Sequence, residues 1–132
     1  MCSYINIPPL QLEGIKVLVV DDEIDNRELV AIILEQAGAN VVTAASADKA
    51  LQVLHEDFDA LLCNIEMPNI DGYTLLRQIK SQLHQQIVAI ALTAYAGTIN
   101  QQQARNAGFE KLLAKPIEPT TLINAIVNTI KQ

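Results

Sequence analysis

Ile15-Lys16-Val17-Leu18-Val19-Val20-Asp21-Asp22-Glu23 is the stretch whose reading decides the fold. An apolar, largely β-branched run of strand length breaks off into three consecutive acids, and a helix-forming segment follows from Asp25. A run without polar alternation suits a strand covered on both faces, the usual state of a parallel strand. Four further runs repeat the theme: Val41–Ala44, Ala60–Cys63, Ile87–Leu92 and Lys111–Ala114. Longer helical patterns separate them, so the order is that of a parallel sheet built from βαβ units. At 132 residues the chain is long enough for one domain and one core system.

The expected helices carry start and stop chemistry. Asp25, with Glu28 reaching back, caps the first, and Gly38 ends it. Ser46 caps a second that runs to about Glu56, and a third runs from Asp71-Gly72 to about Leu83. Thr98 with Gln101 caps a fourth that ends at Gly108. Glu118-Pro119 opens the fifth, in which Leu122, Ile123, Ile126, Val127 and Ile130 form one apolar face. Residues 1–14 fall outside the alternation. Pro8-Pro9 favours extended backbone and Glu13-Gly14 closes the segment, so it reads as an N-terminal tail or linker, with the domain at 15–132.

Composition removes several function classes. A formal charge of −6 and a pI near 4.7 disfavour binding to nucleic acid or to anionic lipid. No apolar run approaches the roughly 20 residues of a membrane span, and the N-terminus lacks a signal-peptide pattern, so a cytoplasmic location is expected. The two cysteines, Cys2 and Cys63, have no zinc-binding spacing, and both are expected as reduced thiols. His55 and His84 have no matching acid at useful spacing.

In an open parallel sheet, ligands bind at the carboxyl ends of the strands. Those ends carry Asp21-Asp22-Glu23, Cys63-Asn64, Thr93 and Lys115-Pro116. Adjacent carboxylates repel, and either a cation or Lys115 has to compensate Asp21 and Asp22. Oxygen ligands favour Mg²⁺, which commonly joins carboxylates to a phosphoryl group. Lys115 and the Thr93 hydroxyl suit the remaining phosphoryl oxygens. The plainer reading, in which the acids cap a helix and Lys115 merely neutralises them, loses ground because four strand ends agree.

The set as a whole resembles the receiver domains of two-component response regulators and hybrid histidine kinases. The resemblance spans residues 15–130 through Val17-Leu18-Val19-Val20-Asp21-Asp22-Glu23, Asn64-Ile65-Glu66-Met67-Pro68-Asn69-Ile70-Asp71-Gly72, Ala91-Leu92-Thr93-Ala94 and Lys115-Pro116. It implies a doubly wound, five-stranded (βα)5 flavodoxin-like fold. It also implies an aspartate after the third strand that accepts a phosphoryl group from a histidine kinase or phosphotransfer domain, with Mg²⁺ assisting. Carried over by position, Asp22 is a direct metal ligand, Asp21 acts largely through water, and the backbone carbonyl of Glu66 is a further ligand. Thr93 and Lys115 contact the phosphoryl oxygens.

The acceptor position itself holds Asn64. A carboxylate oxygen is an anionic nucleophile, whereas an amide oxygen is neutral and weakly nucleophilic. A folded, phosphorylation-silent receiver with weakened Mg²⁺ binding is therefore expected. It is either a natural pseudo-receiver working through protein contacts or an ordinary receiver whose acceptor was changed. Many receivers carry an aromatic or histidine three residues before the lysine, where this chain has Leu112, so aromatic gating is not expected. Tyr95 is a candidate reporter of the loop after Thr93.

On the first helix, Leu29, Ile32 and Ile33 are expected to face the sheet, leaving Val30 and Leu34 on a second patch. That patch, with Arg27, either docks a kinase or phosphotransfer domain or packs against residues 5–12. The resemblance allows a monomer or a weak homodimer. A flavin carrier is disfavoured because Asp21-Asp22-Glu23 repels phosphate. A phosphatase is disfavoured because it needs a nucleophile and usually a cap. The chain is not expected to be an enzyme.

Overall fold

The computed structural model describes residues 10–82 and 87–130. Cys2, Pro8-Pro9, Leu83 and His84, each read above, lie outside them. The elements alternate strictly: β1 (Lys16–Val20), α1 (Ile24–Gln36), β2 (Asn40–Ala44), α2 (Ala47–Gln52), β3 (Ala60–Asn64), α3 (Gly72–Gln82), β4 (Val88–Thr93), α4 (Thr98–Ala107), β5 (Lys111–Ala114) and α5 (Pro119–Ile130). The five strands form one sheet in the order β2-β1-β3-β4-β5, with every pairing parallel. The order reverses at β1, which opens a crevice between β1 and β3 at their carboxyl ends.

Alternation along β1 distributes the core to both faces. Leu18 and Val20 join the side chains of α2, α3 and α4, among them Ala50, Leu75, Leu76, Ile79 and Ala104, together with Leu54 of the turn after α2. Val17 and Val19 join those of α1 and α5, including Val30, Leu34, Leu122 and Ile126. The sheet is thus doubly wound, and the uninterrupted apolar strands are explained by burial on both sides.

Several local signals behave as read. The Ser46 side chain accepts the Lys49 amide and caps α2. Gly108 ends α4 in the left-handed region at φ 110°, where a side chain is disfavoured. Glu118 accepts the amides of Thr120 and Thr121 in the first turn of α5. Others differ. The caps of α1 and α4 are Glu23 and Gly97, so Asp25 lies two residues and Thr98 one residue past the cap, inside their helices. Helix α2 stops at Gln52, and residues 53–56 continue as turns and a bend.

The apolar face of α1 also differs from the expectation. Val30 and Leu34 are buried, at 2% and 0% exposure, while Leu29 and Ile32 are half exposed. Two stripes compete in this helix, and the winning one is longer. Val30, Ile33, Leu34 and Ala37 follow the i, i+3, i+4, i+7 pattern to the helix end, where the rival stripe meets Gln36. Leu12 completes the seat: it is 1% exposed, and its amide donates to the Ala37 carbonyl at 2.8 Å. Residues 10–14 therefore pack on the domain, with Leu12 as their buried residue and Leu10 and Glu13 beside Gly38. Val30 and Leu34 are not docking residues, and a charged residue at position 34 would disrupt the core.

Candidate functional site

The crevice gathers side chains from four strand ends. Asp21 follows β1, Asn64 is the last residue of β3, Thr93 is the last of β4, and Lys115 follows β5. Parallel register sets their levels: Val20 pairs with Cys63, Asn64 with Leu92, and Thr93 with Ala114. The Lys115 amide donates to the Thr93 carbonyl at 2.8 Å, which holds the lysine level with β4. Asp22, Glu23, Asn64, Glu66, Ala94, Tyr95 and Lys115 line an open cleft of about 300 Å³. Asp21, Asn64 and Thr93 are buried beneath it.

At the centre, the Asn64 amide is fully engaged. Its Nδ2 donates to Asp21 Oδ1 at 3.3 Å, to Asp22 Oδ1 at 3.1 Å and to the Glu66 carbonyl at 2.9 Å. Its Oδ1 accepts from Lys115 Nζ at 3.1 Å. Chemistry fixes this orientation, because an ammonium only donates while carboxylates and carbonyls only accept. The three oxygens read above as a metal-binding set thus surround an N–H₂ group. They are of the hard type that Mg²⁺ takes, but as arranged they are acceptors around an amide nitrogen, which an ion would have to displace. Among the described residues no cluster of three or more histidine, cysteine or acidic side chains is placed to hold a metal.

Charge is balanced locally. Lys115 Nζ lies 3.5 Å from Asp21 Oδ2, and the Glu23 amide donates to Asp21 Oδ1 at 2.9 Å. Burial pushes the Asp21 carboxyl above its ordinary value; the Glu23 amide and Lys115 oppose that rise. Arg27 folds back and donates to the Asp21 carbonyl at 2.9 Å, so this proposed docking residue supports the site's backbone.

The loop after β3 is shaped by tight packing. Gly72 opens α3 so close to the strand end that a Cβ there would lie 2.7 Å from the Asn64 carbonyl oxygen and 3.0 Å from Ile65 Cα. Only glycine fits that approach. The Gly72 amide donates to Ile65 O at 3.0 Å, and the Asp71 carboxylate accepts the Thr74 amide at 2.8 Å, capping the helix. Between them, Pro68 and Asn69 turn the chain, with Asn69 in the left-handed region at φ 71°.

One participant was read from the sequence for its backbone alone. The Glu66 carboxylate reaches across the cleft, accepting the Thr93 hydroxyl at 2.5 Å and the Ala94 amide at 3.1 Å. The available signal was an acid two residues beyond Asn64, on the loop that faces β4. Other residues lie where the plainer readings put them. Cys63 is buried against the Asn64 carbonyl, and burial first, then Asp21 and Asp71, push its thiol up. His55 is exposed in the turn after α2 and does not line the cleft. Leu112 packs against the core beneath α4, and Tyr95 is 69% exposed.

Comparison with known proteins decides the family. Residues 17–127 match the model of the response regulator receiver domain. The chain belongs to the receiver domain family. This receiver is 38% identical over 117 residues to an uncharacterized 14.6 kDa protein of Leptolyngbya boryana, covering 87% of this chain and 89% of that one. It is 33% identical to the transcriptional regulatory protein ZraR of Escherichia coli K12 across 89% of this chain, but it spans only 27% of that protein's length. Among solved structures, it superposes with a TM-score of 0.81 and 28% identity on the receiver domain of the sensor histidine kinase PA1611 of Pseudomonas aeruginosa PAO1. That match covers 90% of this chain and 99% of the other, whose active-site cleft coordinates a magnesium ion.

Proposed function

We propose that this receiver domain acts in two-component signalling without being phosphorylated in its present form, because the position of the acceptor is Asn64. The observation that carries the reading is the state of its side chain. It is neutral, its two N–H groups are shared among three acceptors, and its oxygen is held by Lys115. A neutral amide oxygen already hydrogen-bonded to an ammonium has little nucleophilic character. In this reading Asp21, Asp22 and the Glu66 carbonyl are the inherited Mg²⁺ set, with affinity weakened by the loss of one anion. Thr93 and Lys115 are the groups that would have met phosphoryl oxygens. The partners are a histidine kinase or a phosphotransfer domain, and the domain occupies 15–132 with Leu12 as its anchor. It works in the cytoplasm, as a monomer or weak homodimer, and is not itself an enzyme. Among the described residues no helix is long and apolar enough to cross a membrane.

A second reading is supported by the self-satisfied pocket: a natural pseudo-receiver that serves as a phosphate-independent interaction module. Intact-mass analysis after incubation with phosphoramidate and Mg²⁺ tests the common ground. The expected result is no adduct on the protein and one phosphoryl group on Asn64→Asp. Phosphorylation of the unaltered protein would refute silence, and failure of both proteins would refute the assigned roles of the pocket residues.

A further inference from the structure

The geometry points to Glu66 as a built-in anion that latches the β4–α4 loop onto the loop after β3, so that the loop is held with no external ligand. The argument starts from donors. At the end of β4 the Thr93 hydroxyl and the Ala94 amide point the same way, and an adjacent O–H and N–H of this kind form a two-point cradle for an oxyanion. Both are occupied from within the chain: Glu66 Oε2 takes the hydroxyl at 2.5 Å and Oε1 takes the amide at 3.1 Å. The Thr93 hydroxyl has one proton, which goes to Glu66, while its oxygen accepts the Tyr95 amide at 3.0 Å. Its bonding capacity is therefore committed in both directions.

The latch also has a route outward. The Tyr95 carbonyl accepts from the Asn100 side chain in the first turn of α4, and the Asn100 carbonyl accepts from the Tyr73 hydroxyl of α3 at 3.4 Å. A continuous hydrogen-bonded series thus runs from Glu66 through Thr93 and Tyr95 to α4. Glu66 and Ala94 are exposed, so the carboxylate supplies a specific charged contact rather than core packing. Consequently an incoming oxyanion has to displace a covalently tethered one before it reaches Thr93 and Ala94. The latch does not depend on whether Asn64 accepts phosphate.

Amide hydrogen exchange followed by ¹⁵N NMR tests this on the full chain with Glu66→Gln, Glu66→Ala and Thr93→Ala. Exchange at Ala94 and Tyr95 is expected to rise threefold or more in both Glu66 variants, while the amides of Leu62 and Ile90 in the sheet keep their rates. The Glu66→Gln variant keeps volume and loses charge, so it separates a charged latch from packing. The effects of Glu66→Ala and Thr93→Ala are expected to be strongly non-additive in the double variant. A rise of less than threefold in Glu66→Gln, or additive effects, would overturn the proposal. A second arm uses the Asn64→Asp background with phosphoramidate and Mg²⁺. Adding Glu66→Ala is expected to enlarge the phosphodonor-induced shift of the Ala94 and Tyr95 resonances, and an unchanged or smaller shift counts against the latch. If Asn64→Asp takes up no phosphoryl group, the functional reading above fails, and the exchange arm still decides the fate of the latch.

Discussion

Replacing Asn64 by aspartate should convert a metal-indifferent fold into a metal-dependent one, and the distances give the size of the effect. The substitution puts an anionic oxygen where Nδ2 now donates to Asp21, Asp22 and the Glu66 carbonyl, at 3.3, 3.1 and 2.9 Å. Two unit charges about 3.2 Å apart interact with about 5 kcal/mol at an effective dielectric near 20. Two such repulsions, from Asp21 and Asp22, oppose one attraction of similar size from Lys115, which lies 3.1 Å from Asn64 Oδ1. The balance is one uncompensated repulsion. Asp22 is solvent-exposed and the side chains relax, so the expected loss is about 2–4 kcal/mol in the metal-free state. Mg²⁺ at about 100 times its dissociation constant would return about 2.7 kcal/mol to the variant. The unaltered protein should gain less than about 0.5 kcal/mol under the same conditions, because an ion has to displace the amide first. Urea unfolding of both proteins, with EDTA and with excess MgCl₂, measures all four stabilities. Equal stability in EDTA, or an equal Mg²⁺ shift in the two proteins, would refute the view that the Asn64 amide stands in the cation's place.

Three further outcomes follow from burial. Leu34→Ala should cost about 2–5 kcal/mol in urea unfolding, whereas Leu29→Ala and Ile32→Ala should each cost under about 1 kcal/mol; comparable losses would mean that α1 presents the other face to the sheet. Cys63 should resist alkylation in the native protein and react in urea, read by mass spectrometry of the peptide that contains it; labelling without denaturant would contradict its buried, proton-retaining state. Burial raises the Asp21 carboxyl in the folded state, so the native protein binds that proton more tightly than the unfolded chain does. The burial penalty is therefore present at neutrality and relieved as the pH falls through the raised value. In EDTA, stability relative to Asp21→Asn should rise as the pH drops toward the ordinary carboxylate range, and a constant or falling difference would reverse the sign.

Much of the fold was legible because strands and helix ends have local causes. The doubly buried strands appear as apolar runs, Ser46 caps its helix through its own hydroxyl, and Gly108 takes a backbone conformation that a side chain would oppose. The face of α1 was not legible in the same way. Two stripes share Ile33, and the choice depends on Leu12 and Ala37 meeting from opposite ends of a segment more than twenty residues long. The caps of α1 and α4 were misplaced by one or two residues because Asp25 and Thr98 have the preferred side chains, while backbone geometry selects Glu23 and Gly97. In the site, the strand ends convey which residues meet, since parallel register carries them to one level. They do not convey which way a loop side chain turns. Glu66 was read through its carbonyl, and its carboxylate's reach to Thr93 depends on the separation between two loops, which no local pattern encodes.

The Gly72 contact gives the cleft two unlike walls. On the β3–α3 side, backbone meets backbone with no room for even a methyl group, so that wall cannot yield without lifting the helix from the sheet. On the β4–α4 side, the loop bearing Ala94 and Tyr95 is exposed and is held to its neighbour by a carboxylate rather than by packing. The stiff wall acts as an anvil. A rearrangement in this cleft therefore meets less packing resistance on the side that leads to α4 than at the start of α3.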